Sequence, residues 1–504
     1  MDDLAFRQEQ ARRYQRQRQQ GLGKLIISQL TPKGRVVVVG NKVYCSPRYN
    51  TFIDFLAHFI VDVIGLPWFE AEIKKPEADQ HALFGLHMQA AARLKAHQFG
   101  DGQVREAVLT GALESYYRIA YHLYLVSHNG GLPDALLVRL KQKDQYRGAA
   151  HEVYVAATFI LAGFTIEFED ESDIDRSHCE YTVTHVKTGW KFSVEAKARG
   201  VESKLVKSLL PNALLKQADH TRLIWFAINW PAADADAGKA AIFDTLKELR
   251  SKEDMILDGH PAPPAYIIVS NNPFEHALDS SNYSVSALAE GFRIPDMKYD
   301  MQFHSVREMR LNRDKHLPIH DLIQSMLLHA RIPVTFDGED EAFTFANDRP
   351  RLLIGSDYEI PDEHGEMVRA TLESATVDVQ KKEAHGFYRT TDGKRVMAIC
   401  PISDAETRAY IRMPETFFGV LNFNAEAKMR DPLEIFDWMY DSYKNSTKEK
   451  LLEFMAPAGT QPHMRALSQQ ELAILYCEGI ANSIHYRQTQ INLTNGGDSD
   501  ERKQ

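Results

Sequence analysis

Residues 178–198, HCEYTVTHVKTGWKFSVEAKA, alternate apolar and polar side chains on both sides of a Thr188-Gly189 pair. A period of two over more than a few residues is the signature of a half-buried strand, and a Thr-Gly pair between two such runs marks a hairpin. Tyr181, Val183, Phe192, Val194 and Ala196 then form the apolar face. With Thr188-Gly189 as a two-residue turn, Val186 opposes Lys191, Thr182 opposes Glu195 and Glu180 opposes Lys197. A slip of one residue would turn the acids into the apolar side. Glu180, Glu195 and Lys197 are therefore expected to share one face, lining a solvated cleft.

The 504-residue chain is 44% hydrophobic and 25% charged, enough for several packed cores, so more than one domain is expected. No apolar run reaches the roughly 20 residues of a membrane span, and the N-terminal MDDLAFRQEQARRYQRQRQQ lacks the apolar centre of a secretory signal. Cys45, Cys179, Cys400 and Cys477 are scattered, without a Cys-x-x-Cys pair. A cytoplasmic protein without membrane partners is the expectation. The net charge of −10 argues against a non-specific nucleic-acid coat but permits local basic surfaces. Two stand out, Arg12/Arg13/Arg16/Arg18 and Lys197/Arg199/Lys204/Lys207.

Three regions are expected along the chain. Residues 1–134 read as mainly helical, with helices over 51–64, 81–98 and 107–127 and a short hairpin in GRVVVVGNKVYC. HNGGLPD marks the next boundary. Residues 135–285 read as a mixed α/β domain: a central sheet of 164–169, 180–186, 191–198, 222–229 and 265–270, flanked by helices 146–161 and about 203–219. Residues 286–504 read as β-rich and then helical, with strand character in EMVRATLESATVDVQ, GFYRTTDGKRVMAICPIS and AYIRMPETFFGVL, and a disordered tail from about 490.

Several motifs fail. GRVVVVGNK has neither the spacing nor the hydroxyl of a phosphate-binding loop, HEVYV lacks the second His of a zinc helix, and no Gly-x-Ser-x-Gly occurs. Glu-x-Lys alone decides nothing, since it occurs five times; Glu195 is singled out by its hairpin and by Glu152, a carboxylate beside the core-facing stripe of the preceding helix.

With those residues in place, 144–271 resembles the PD-(D/E)xK, or restriction-endonuclease-like, nuclease superfamily. The family core runs helix, three meandering strands, helix, strand. Glu152 matches its helix acid, Glu180 its second-strand acid, and Glu195 with Lys197 its acid-x-Lys. Cys179-Glu180 stands where the family has Pro-Asp, so Asp173 or Asp175 is an alternative ligand. Gln217 stands near a helix position where some members carry Gln followed four residues later by Tyr, here Thr221. The resemblance implies catalysis by Glu152, Glu180, Glu195 and Lys197, a Mg²⁺ ion (Mn²⁺ as substitute) on Glu180 and Glu195, and nucleic-acid contacts from Arg199, Lys204, Lys207 and Gln217. It implies hydrolysis of phosphodiesters, DNA ahead of RNA, in a restriction or anti-phage setting, with a homo-oligomer or a separate NTPase or helicase as partner. The alternative is a degenerate nuclease fold that binds nucleic acid or protein without cleaving.

Overall fold

The computed structural model of the chain describes all residues except 1–2, 97–103, 105–106, 170–177, 199–207, 232–234, 346–349, 362–363, 423–430, 457–461 and 497–504. Arg199, Lys204, Lys207, Asp173 and Asp175 thus lie outside the described residues. The chain forms two compact units, Met1–Tyr299 with Pro318–Leu421, and Asp300–Leu317 with Asn422–Gln504.

The first unit is built on a mixed six-stranded sheet: β1 Phe164–Phe168, β2 Tyr181–His185, β3 Lys191–Ala198, β4 Thr221–Ala227, β5 Ala265–Asn271 and β6 Ser286–Phe292. Its order is β6-β5-β4-β3-β2-β1. β1, β2 and β3 run antiparallel to one another, β3, β4 and β5 are parallel, and β6 is antiparallel to β5. Five helices set the surroundings of that sheet: α1 Gly111–Asn129, α2 Asp134–Leu140, α3 Tyr146–Leu161, α4 Leu210–Leu215 and α5 Ala235–Arg250.

α3 covers one face of the sheet. Its Val153, Ala156 and Phe159 share a core with Tyr181, Val183, Phe192, Val194, Leu223 and Trp225. α4 and α5 cover the other face, where Leu210, Leu214, Ile242 and Leu246 pack with Ile224, Phe226, Ile267 and Val269. Helices on both faces explain why β4 and β5, LIWFA and AYIIV, are continuous apolar runs while β2 alternates. At the far edge, buried Glu290 of β6 accepts two 3.0 Å hydrogen bonds from Arg250 of α5 and lies 3.2 Å from Lys298.

The hairpin register differs from expectation by two residues: Tyr181 pairs with Val194 and Thr184, rather than Val186, with Lys191. The connection is longer than a two-residue turn. His185 N–H donates to Trp190 O (2.8 Å), and Gly189, at φ 73°, donates to His185 O (2.7 Å). A two-residue slip moves side chains along the strand but leaves each on its face, so the partition into apolar and polar faces stands.

Other expectations need correction. The boundaries at 134 and 285 have no counterpart in the packing. One core joins Phe52, Phe55 and Tyr124 of the N-terminal helices to the sheet, and β6 begins at Ser286 inside that sheet. The N-terminal hairpin Gly34–Val39/Lys42–Ser46 gains a third strand, Ile27–Thr31. The segment AYIRMPETFFGVL is helical, Asp404–Arg412 then Pro414–Thr416, because Ser403 and Glu406 form a reciprocal capping box that starts a helix there. The strands Asp357–Pro361, Met367–Asp378, Glu383–Thr390 and Arg395–Pro401 form an antiparallel sheet in chain order. Of the helix expected at about 203–219, the described helical residues are 208–215, α4 and the two residues before it.

The second unit is helical: Val306–Lys315, Pro432–Tyr443, Lys448–Met455 and Gln469–Gly496, the last running through residues 490–496 that were expected to be disordered. Val306, Ile435, Phe436, Met439 and Cys477 form a core there. Among the described residues, no single helix is long and apolar enough to cross a membrane.

Two glycines probe this packing in opposite directions. A Cβ on Gly111, at the start of α1, would run into the carbonyl oxygens of Phe274 and Ala277, while one on Gly148 in α3 meets nothing within 4 Å. Gly111→Ala should lower stability by about 1–3 kcal/mol, and Gly148→Ala should raise it by about 0.5–1 kcal/mol, read as opposite shifts of the denaturation midpoint.

Candidate active site

β3 presents Glu195 and Lys197 on the face it shares with Ile224 and Phe226, their register partners on β4. Glu180 stands in the bend that leads into β2, its N–H donating to Val194 O at 2.9 Å. The three side chains converge. Lys197 Nζ lies 3.4 Å from Glu180 Oε1 and in direct contact with Glu195 Oε1.

Glu195 is 1% exposed, not solvated. β3 is an interior strand, and the chain following α4 passes over this face. Lys216, directly after α4, brings its Nζ to 3.9 Å from Glu195 Oε1. Neighbouring Gln217 forms a parallel bridge with His178, which ties the α4 exit to the lead-in of Glu180; the Gln217 side chain itself is exposed. Despite the Lys197 contact, neither Glu195 oxygen has a well-aligned hydrogen bond from the described residues. Burial raises the Glu195 carboxyl to about 7; Lys197 and Lys216 oppose the rise and Glu180 adds to it. Burial pulls the Lys197 pKa down, but Glu195 and Glu180 outweigh it and raise it above the usual lysine value, so the ammonium stays charged. The adjacent Cys179 thiol is pushed up to about 12 by burial and by Glu195.

Glu152 comes from α3, on the opposite face. Its two oxygens accept 2.7 Å hydrogen bonds from Arg139 of α2, a bidentate pair. Burial raises its carboxyl, the Arg139 bonds counteract this, and the charge of Glu180 raises it further. Glu152 thus shares the electrostatics of Glu180 and Lys197 while being held by a guanidinium. Next to it, His151 Nε2 faces Trp225 O at 3.3 Å, and burial followed by Lys197 lowers its pKa to about 4, leaving it neutral.

Sequence reading missed Arg139 and Lys216. Lys216 abuts Gln217, but Arg139 stands thirteen residues before Glu152 on a separate helix, and no short-range period connects them.

Among the described residues no group of three or more His, Cys, Asp and Glu could hold a metal ion. Glu180 and Glu195 are a pair, which suits a hard divalent cation that keeps most of its waters. The buried Glu195 oxygens without aligned donors fit such an ion. Comparisons with known proteins are silent: no protein-family model, curated protein or solved structure matches the chain.

The raised Glu195 carboxyl has a consequence for stability. Unfolded, it releases its proton near 4.5; folded, it keeps it until about 7. Folding takes up a proton between those values, so this group's contribution to stability falls as pH rises through the window. Glu195→Gln should remove that fall. The stability of wild type relative to the variant is expected to drop by on the order of 2–3 kcal/mol across the window, measured by urea unfolding at each end.

Proposed function

We propose that the chain is a divalent-metal-dependent nuclease of the PD-(D/E)xK, restriction-endonuclease-like class. The observation that carries the reading is the convergence of Glu180, buried Glu195 and Lys197 on one face of an interior strand and its neighbour, in a mixed sheet with helices on both faces. Glu180 and Glu195 would hold Mg²⁺, or Mn²⁺ in its place. The ion supplies Lewis acidity toward phosphate and a water of lowered pKa.

The remaining chemistry belongs to the chain. Lys197 is kept charged by its two carboxylates, so it can donate hydrogen bonds to a phosphate oxygen where negative charge grows. Glu195, 1% exposed, would meet the ion as a carboxylate screened from bulk water, its charge supported by Lys197 and Lys216. Arg139 fixes Glu152, which acts through its charge on Glu180 and Lys197 rather than as a ligand. Arg199, Lys204 and Lys207 follow β3 in the chain and are proposed to contact the nucleic-acid backbone, whereas Gln217 contributes its backbone bridge. DNA is favoured over RNA, with a cytoplasmic defence role and a homo-oligomeric or helicase partner as the setting proposed for it.

A second reading is a non-cleaving module. It is favoured by the pairing already present: Lys197 contacts both carboxylates and Arg139 engages both oxygens of Glu152, balancing the charge internally.

The two readings separate in one assay, cleavage of circular DNA, linear DNA and RNA with Mg²⁺, Mn²⁺ or EDTA. Because Glu195 is buried, truncation would confuse folding with chemistry, so near-isosteric variants are the right probes. Glu195→Gln and Lys197→Met should each lower the cleavage rate by on the order of 10²–10³-fold, compared at a pH and temperature where unfolding curves show each variant folded. Equal cleavage by wild type and both variants would sink the assignment. A wild type that retains nucleic acid in gel shifts but cleaves nothing with any metal would favour the module.

A further inference from the structure

A cavity of about 850 Å³ opens at the other end of β2 from Glu180, within the size range of small-molecule sites. His185, the last residue of β2, lines it, as do the C-terminal turn of α3, β1, helix Asp3–Gln20 and helix Leu317–Leu328. Its walls are largely apolar, from Leu22, Ile160, Phe164, Ile166, Phe168 and Leu328.

The polar lining is lopsided in charge. Among the described residues of the lining, Arg18, Lys24 and Lys187 face one acid, Asp321. That acid is already engaged, with His185 Nε2 at 3.3 Å and Lys187 Nζ at 3.4 Å from Oδ2. The buried His329 is also committed: its Nε2–H donates to Gln17 O at 3.1 Å, so its Nδ1 accepts from Ser325 Oγ at 2.8 Å. Buried polar groups in the wall are therefore satisfied within the protein, and the charge left for a visitor is positive. An apolar chamber with a cationic rim suits one kind of guest.

We propose that this cavity binds a small amphiphilic organic anion, a carboxylate or phosphate head on an apolar body the size of a medium-length acyl chain. The body lies against Phe164, Ile166 and Phe168, and the head meets Arg18, Lys24 and Lys187. The site is separate from the Glu180–Glu195–Lys197 cluster, so it stands whether or not that cluster cleaves nucleic acid.

Calorimetry on the full chain with three probes tests this: dodecanoate and dodecyltrimethylammonium below their micellar concentrations, and dodecan-1-ol below its solubility limit. Dodecanoate should bind saturably, one per chain, and about tenfold or more tighter than the other two. Lys24→Glu combined with Lys187→Glu, both at exposed positions, should weaken dodecanoate about tenfold or more, with circular dichroism showing the variant folded at the assay temperature. Leu328→Trp, at an exposed position of the apolar lining, should weaken all three probes by obstructing the chamber. Absence of saturable dodecanoate binding up to about 1 mM, equal affinity for the alcohol or the ammonium, or indifference to the charge reversals would each overturn the proposal.

Discussion

A carboxylate placed in the middle of a sheet must be neutralised, coordinated or protonated, and Glu195 is such a group. Much of the neighbourhood follows from that demand. Lys197 is two residues away on the same strand face, the distance at which a strand returns to the same side. Lys216 is delivered by the chain leaving α4, and the Gln217–His178 bridge holds that exit against the approach to β2. Glu180 joins by the same route. A poorly solvated cluster of mixed charge is a high-stakes arrangement, since deleting one member leaves another exposed to the full cost of burial.

Much of the fold was legible because burial writes itself as period. The span 146–161 emerges as α3 with its expected limits, and β1 to β5 fall within about two residues of their predicted ranges, as boundary placement commonly does. Faces were legible too: Tyr181, Val183, Phe192 and Val194 are all in the core beneath α3. Axial position was not. A period of two is blind to a shift of two, and only the true length of the Val186–Gly189 connection decides it. The helix at Asp404–Arg412 was hidden for a different reason, because β-branched and aromatic residues around it suggested a strand while its capping box announced a helix.

The site was half legible for a related reason. Glu195 and Lys197 are neighbours in sequence, and Glu180 follows from the hairpin, so local rules reach them. Arg139 and Lys216 meet their carboxylates only through tertiary packing. The solvated cleft was misjudged on the same ground: alternation shows which face is polar, not whether a helix and its exit cover that face.

The edge of the sheet has its own consequence. β1 ends the strand order and is only five residues long, with Glu167 exposed on it. A short terminal strand bearing an outward carboxylate is a poor template for a second chain, because copies adding edge to edge would bring like charges together. Among the described residues no further strand pairs with that edge, and Glu167 sets a charge against edge-to-edge addition there.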